Sequence, residues 1–357
     1  MITVTKSFLA PKEEFLAYID KIYETRRITN NGPLVQQLQQ ELKEYLGVDY
    51  LLLVTNGTLA LQMAYRALDL HGTVVTTPFS FVATASSISW MGMRPRFCDI
   101  DPETYCLDAG KLESLISADC SAIVPVQVFG NACDIEAIET IAQQHDLKVV
   151  YDASHAFGAK YKGKSLLSYG DISTVSFHAT KLFNTIEGGA LIFKDEAVYE
   201  RAKKLINFGI TGPESIVGLG VNAKMNEFQA AMGLANLPYV KWCIEKRGEI
   251  IARYRRDLEG LVSFQKLHPD LEYNNSYMPV LFDTYEQMAE VKARLEAQEI
   301  IPRRYFYPSL DTLSFLEDPH PEEVSRTVSE RILCLPLYPD LEWDIVERVI
   351  ETIRECL

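Results

Sequence analysis

The stretch Ser176-Phe-His-Ala-Thr-Lys181-Leu-Phe-Asn-Thr-Ile-Glu-Gly188-Gly189 closes one β-rich run, Thr174 to His178, and leads through a loop ended by two glycines into another, Ala190 to Lys194. A lysine at a strand end, flanked by Ser and Gly, can project its amine into a cleft where burial depresses its pKa. A neutral amine is what Schiff-base formation requires. The competing reading of Lys181 is a solvated surface lysine, the commoner state of that side chain.

Upstream of this stretch, short β-rich runs alternate with helical patterns. The runs are Leu51 to Thr55, Thr73 to Thr77, Pro95 to Ile100, Ala122 to Phe129 and Lys148 to Ala153. Several are apolar on consecutive positions, as strands buried on both faces are, so the pattern predicts an α/β layer built on a largely parallel sheet. Helical spacing marks Leu59 to Leu68 and Asp134 to Gln144, with Asp134 as N-cap. After Asn226 a helical stretch continues past Pro238, which should end or kink it, to about Leu261. The rest, with β-like Val262 to Leu267 and Tyr277 to Phe282, a helix over Tyr285 to Gln298, the Arg303 to Tyr307 segment and a final helix, reads as a smaller α+β domain. The division is expected near residue 245, giving a large domain 1–245 and a small one 246–357.

Three further pieces could carry chemistry. Tyr151-Asp152-Ala-Ser-His155 ends a buried-looking strand, where a carboxylate can hold a ring nitrogen protonated by ion pairing; a loop-capping Asp is the alternative. Val54-Thr55-Asn56-Gly57-Thr58 joins a strand to a helix whose first amides and positive dipole end suit a phosphate, although a plain βα turn looks the same. Thr77-Pro78-Phe79-Ser80-Phe81 sets aromatics at a strand end, able to stack on a planar ring or to serve as core. His155 and His178 lack metal-ligand spacing, so no metal is expected. There is no GxGxxG, P-loop or GxSxG pattern.

Composition narrows the class. Across 357 residues, 47% hydrophobic and 24% charged content fits an ordinary globular chain and excludes disordered and fibrous ones. A formal charge of −14 with no basic run argues against nucleic acid as a partner. No apolar stretch is long enough to span a bilayer, and no signal-like segment opens the chain, so a cytoplasmic protein without membrane contact is expected. Seven cysteines at wide spacing read as reduced thiols.

With Gly57-Thr58, Phe81, Asp152 and Lys181 in this order, the sequence resembles the DegT-type sugar aminotransferases, a branch of the fold-type I enzymes that use pyridoxal 5′-phosphate. The resemblance covers essentially the whole chain, from Thr29-Asn-Asn-Gly-Pro33 to Arg303-Arg-Tyr-Phe-Tyr-Pro308, and its most specific piece is Ser-Phe-His-x-x-Lys followed by Glu-Gly-Gly. It implies a large domain with a mostly parallel mixed sheet between helices, plus a smaller C-terminal α+β domain. It implies that Lys181 carries the cofactor and moves a proton, that Asp152 pairs with the pyridine nitrogen, and that His155 lies near the phenolic oxygen. Phe81 matches the ring-stacking position, and Gly57, Thr58 and Ser176 match phosphate-binding positions. Asn222 matches an asparagine reaching the neighbouring subunit's phosphate, so a homodimer with shared sites is implied. Retention of Lys181 disfavours the dehydratase subgroup, which has histidine there.

Two departures, Ile186 for a common glycine and Gln127 for a common histidine, are expected to border the sugar site. The implied reaction moves an amino group from L-glutamate to a nucleotide-linked ketosugar, favouring dTDP-4-keto-6-deoxy-D-glucose at C-4 to give dTDP-4-amino-4,6-dideoxyglucose. Amination at C-3 of a 3-keto isomer, and a non-catalytic regulatory role, are the alternatives. Tyr305 and Tyr307 are expected to reach sugar or phosphate oxygens, with Arg303 or Arg304 supplying charge; simple packing of a small-domain strand is the other reading. Lipopolysaccharide O-antigen biosynthesis is the implied setting.

Overall fold

A computed structural model describes residues 1–316 and 321–357. Its main sheet is built from β1 (Tyr50–Val54), β2 (Thr73–Thr76), β3 (Arg94–Phe97), β4 (Cys120–Val124), β5 (Lys148–Asp152), β6 (Ile172–Ser176) and β7 (Gly189–Phe193). Their order across the sheet is β1-β7-β6-β5-β4-β2-β3, and only β7 runs against the others. The central strands are buried almost end to end, which is why they read as unbroken apolar runs. Because β7 alone is reversed, its first residue, Gly189, lies opposite both Val54 and Ser176. The C-terminal ends of β1, β5 and β6 therefore meet at one edge. Open α/β sheets place ligands at such an edge.

The helices that matter to this edge are α1 (Lys12–Thr25), α2 (Pro33–Leu46), α3 (Gly57–Ala67), α4 (Ala83–Trp90), α5 (Ile135–Gln144), α6 (Glu196–Leu205), α7 (Glu227–Asn236) and α8 (Val240–Asp257). Asp134 caps α5, accepting from the Ala137 amide at 3.1 Å, as its sequence position predicts. Pro238 does break the long helical stretch: a 3-10 turn, Leu237–Tyr239, separates α7 from α8.

The expected boundary at residue 245 falls inside α8. The first turns of that helix pack Val240 and Ile244 on the large hydrophobic cluster, while Ile250, Ile251 and Tyr254 belong to a second cluster. This second core lies under a three-stranded antiparallel sheet, β8 (Ser263–Phe264), β9 (Pro279–Leu281) and β10 (Ile332–Cys334), with α9 (Tyr285–Ala297) and α11 (Trp343–Cys356); between these two in the chain, α10 (Glu323–Arg331) instead packs Val324 and Val328 on the large cluster. The extreme N-terminus crosses to it as well, since Ile2–Thr3 pairs in parallel with Ile300–Ile301.

Several expected strands are shorter, Val262 to Leu267 keeping only Ser263–Phe264 and Tyr277 to Phe282 only Pro279–Leu281, and one is absent. The run Ala122 to Phe129 leaves the sheet after Val124, and Phe129 and Gly130 take φ of 57° and 87°. Val126, Val128 and Phe129 stay apolar because they are buried beneath the sheet edge, not because they extend a strand. Arg303 to Tyr307 forms no strand; a single bridge between Arg303 and Cys334 anchors it to β10.

Candidate active site

At the sheet edge a cavity of about 250 Å³ brings together Gly57, Thr58, Phe81, Asp152, His155, Ser176, Lys181 and Tyr305, all picked from sequence. Asn56 caps α3 by accepting from the Leu59 amide at 2.8 Å. The Gly57 and Thr58 amides at the same helix start have no partner among the described residues, which leaves donors and the positive dipole end facing the cavity. Gly57 needs its missing side chain: a Cβ there would lie 2.9 Å from Ser176 Cβ. Gly189 is held to the same standard, because its Cβ would meet the Asn56 carbonyl at 2.8 Å.

Asp152 ends β5 and is almost fully buried. One carboxylate oxygen accepts from Thr84 Oγ1 at 2.7 Å, and the other accepts from Ser154 Oγ at 2.6 Å and the Ser154 amide at 3.2 Å. Ser80 Oγ extends the chain to Thr84 at 2.7 Å. Three hydroxyls thus fix this carboxylate's rotamer, and none neutralises its charge.

Lys181 follows β6 in a turn closed by its own amide on the His178 carbonyl at 2.9 Å. Its Nζ lies 3.4 Å from the Tyr277 hydroxyl. Burial brings the amine down to about 8; Asp152 opposes the shift and Arg303 adds to it. His155 is buried and neutral, held well below the usual imidazole range by desolvation and then by Lys181. Its Nδ1 accepts from the Phe129 amide at 3.1 Å, so Nε2 carries the proton. The ring sits near-parallel to Phe129 and Phe306 at 6.1 and 5.7 Å.

Other expected residues fall elsewhere. Tyr307 is exposed, stacks on Arg304 at 3.5 Å and lines an adjoining cavity that shares Phe81, Arg303 and Tyr305 with the first. Asn222 is exposed and does not line its own chain's cavity. Gln127 is a correction: it is fully buried, accepts from the Cys133 amide at 2.8 Å, and does not reach the cavity. Ile186 lies beside the cavity-lining Glu187. Of the aromatic pair at the end of β2, Phe79 is core and Phe81 is the exposed member. The structure also adds residues that sequence reasoning missed. Thr84 and Tyr277 come from distant segments and carry no local signal; Ser154, two residues after Asp152, matches the side-chain-to-backbone turn pattern that could have flagged it.

Residues 10–354 match the DegT/DnrJ/EryC1/StrS aminotransferase family. The chain is 41% identical to the dTDP-4-amino-4,6-dideoxy-D-glucose transaminase of Shigella dysenteriae, covering 99% of this chain and 98% of that one. It is 36% identical to the protein of the same name from Escherichia coli, with the same coverage. Among solved structures, DesI in the presence of its TDP-sugar product superposes with a TM-score of 0.94 at 30% identity, over 99% of this chain and 92% of the other. Among the described residues no helix is long and apolar enough to cross a membrane.

Proposed function

From its membership of the DegT/DnrJ/EryC1/StrS aminotransferase family, to which the chain belongs, we propose that it transfers the amino group of L-glutamate to C-4 of dTDP-4-keto-6-deoxy-D-glucose, giving dTDP-4-amino-4,6-dideoxy-D-glucose. The observation that carries the substrate is the 41% identity, end to end, to a transaminase named for that product.

Pyridoxal 5′-phosphate is the proposed cofactor, and the residues present fit it. The cavity offers unpartnered helix-start amides beside Ser176, where a Cβ on Gly57 would collide. It also holds an oriented buried carboxylate, an exposed aromatic ring and a half-buried lysine. When bound, the group supplies an aldehyde carbon that condenses with amines and a ring that takes up electron density. Gly57, Thr58 and Ser176 would bind its phosphate, and Phe81 would support its ring. Asp152 would hold a proton on the ring nitrogen. His155, with only its Nε2–H to give, would donate toward the phenolic oxygen.

Lys181 has two tasks in this scheme. Its Nζ would hold the cofactor's aldehyde carbon, and as a free amine it would move the proton at the donor's α-carbon, for which the low basicity that burial gives it is suited. The same amine returns a proton at the sugar carbon in the second half-reaction. A homodimer with shared sites is part of the proposal: Asn222 is exposed on a hairpin that also exposes Phe208, Ile216, Val217, Leu219 and Val221, an apolar face suited to a second copy.

The test supplies the holoenzyme with dTDP-4-keto-6-deoxy-D-glucose and L-glutamate, without any ketoisomerase, and identifies the aminosugar by NMR. The 4-amino-4,6-dideoxyglucose product is expected. Product that forms only after a 3,4-ketoisomerase is added would move the reaction to C-3.

A further inference from the structure

Among the described residues, Lys181 Nζ has one hydrogen-bond partner, the Tyr277 hydroxyl, at 3.4 Å. That distance is long for such a pair, as catalytic hydrogen bonds often are before a complex tightens them. The hydroxyl has no other partner among the described residues, so its oxygen is available to the amine alone. Tyr277 is buried, and burial pushes its ionisation up, which keeps the group a neutral phenol.

The surroundings hold this hydroxyl in place. Tyr277 lies just before β9, and its carbonyl accepts from the Tyr273 hydroxyl at 3.1 Å. Arg247, buried in α8, donates to the preceding carbonyl, that of Ser276, at 3.1 Å, and the Ser276 amide donates to Asn274 Oδ1 at 3.2 Å. The Tyr277 ring lies 4.6 Å from the ring of His155, 5.4 Å from Phe129 and 5.7 Å from Tyr305. Backbone and ring are both braced, whereas the Lys181 amine ends a long flexible stem. The phenol is therefore the fixed member of the pair and the amine the mobile one.

We propose that Tyr277 is a positioning residue for Lys181, holding its amine against one wall of the cavity whenever that nitrogen is not bonded to the cofactor. The proposal rests on the transaminase reading, in which Lys181 moves a proton as a free amine. The phenol oxygen accepts an N–H from either form of that amine. A neutral amine held in this way keeps its lone pair free to take a proton, and the ammonium that results keeps the same acceptor in a stronger, charge-assisted bond. An amine so tethered samples fewer orientations, and small displacements govern the rate of a transfer between positioned groups. His155, beside the same ring, cannot take over. Its Nδ1 is occupied by the Phe129 amide and its Nε2 carries a proton, so it offers an ammonium no acceptor.

Tyr277→Phe keeps the ring and its contacts and removes only the hydroxyl. In the apo-protein, the pH dependence of Lys181 carbamoylation by cyanate, read by mass spectrometry, reports on the amine directly. Its midpoint, about 8 in wild type, should fall in Tyr277→Phe, because the ammonium loses an acceptor that it holds more strongly than the neutral amine does. In the holoenzyme, the half-reaction with L-glutamate is followed through the cofactor's visible band. The rate at saturating glutamate should drop about tenfold while the apparent Kd changes by less than about twofold, since the lost contact acts on the proton transfer and not on binding. The slowed rate should keep a primary isotope effect with glutamate deuterated at its α-carbon. A packing defect would not produce this combination. A midpoint that does not move, a loss confined to Kd, or a slowed rate without an isotope effect overturns the assignment. A wild-type holoenzyme whose band responds to no amino donor would sink the transaminase reading, and the cyanate titration would still decide for or against the hold of Tyr277 on the amine.

Discussion

In the proposed role Lys181 must be neutral, yet it sits within the field of a buried carboxylate that favours its ammonium; burial and Arg303 oppose that field. Without cofactor this has a cost that can be read in stability. Below about pH 8 the amine is charged in both folded and unfolded chains, and the full burial penalty is present. Between there and the ordinary lysine value of about 10.4, only the unfolded chain keeps the proton, so the penalty fades as pH rises. Lys181→Met should therefore raise the melting temperature of the apo-protein near neutral pH, and the gain over wild type should shrink in alkaline buffer. A gain that does not vary with pH would contradict the depressed pKa. Ile186 offers a second test at this scale. It takes φ of 70°, a conformation in which a β-branched side chain is strained, which accounts for the glycine common at this position in the family it resembles. Comparing Ile186→Gly with Ile186→Ala by urea unfolding should show the glycine variant more stable by about 1 kcal/mol, the reverse of the usual order. The two main candidate residues were legible in their local strings, Asp152 as the end of a strand and Lys181 in the turn that follows one. Gln127 was misjudged because sequence neighbourhood does not say which way a side chain leaves a turned backbone.

At the scale of elements, two loops and one helix start hold the site edge. Asn274 donates to the His155 and Phe157 carbonyls at 2.8 and 2.9 Å, Ser276 Oγ donates to the His155 carbonyl at 3.2 Å, and Tyr273 donates to the Phe129 carbonyl at 3.0 Å. The segment leading into β9 thus clamps the loop that carries His155. Gly130 is part of the fit, since a Cβ there would lie 2.7 Å from Asn274 Oδ1. On the other side, Glu227 at the start of α7 is buried and accepts from the Leu34 and Val35 amides, both at 2.9 Å. It caps α2 from a distance, and Gly32 leaves the room for it. Glu227→Gln would keep the shape but turn one acceptor into a donor facing an amide. Chemical denaturation should report a loss of roughly 2 kcal/mol, and no loss would show that the carboxylate's charge and second acceptor are dispensable. None of these clamps has a local signature, although the strands, the Asp134 cap and the Pro238 break all do.

For the molecule as a whole, the proposed dimer makes the sharpest prediction. Lys181→Ala and Asn222→Ala proteins, each inactive or impaired alone, should regain part of the wild-type rate when mixed and allowed to exchange subunits, because one site of each heterodimer then has both residues. Verified exchange without recovery would argue against a shared site. The sequence by itself determined the alternation of strands and helices, the strand-end position of Asp152, the place of Lys181 in the loop that follows a strand, and the helix start at Gly57. Those features depend on residue type and spacing over a few neighbours, where period, capping and turn chemistry act. Only the tertiary structure decided that Thr84 holds Asp152 across 68 residues, that Tyr277 meets Lys181 across 96, and that Arg303 and not Arg304 faces the cavity. It also decided that the apolar run after Val124 turns away beneath the site. Such contacts arise from how whole layers pack, and packing sums over residues far apart in the chain, so no short stretch of sequence encodes them.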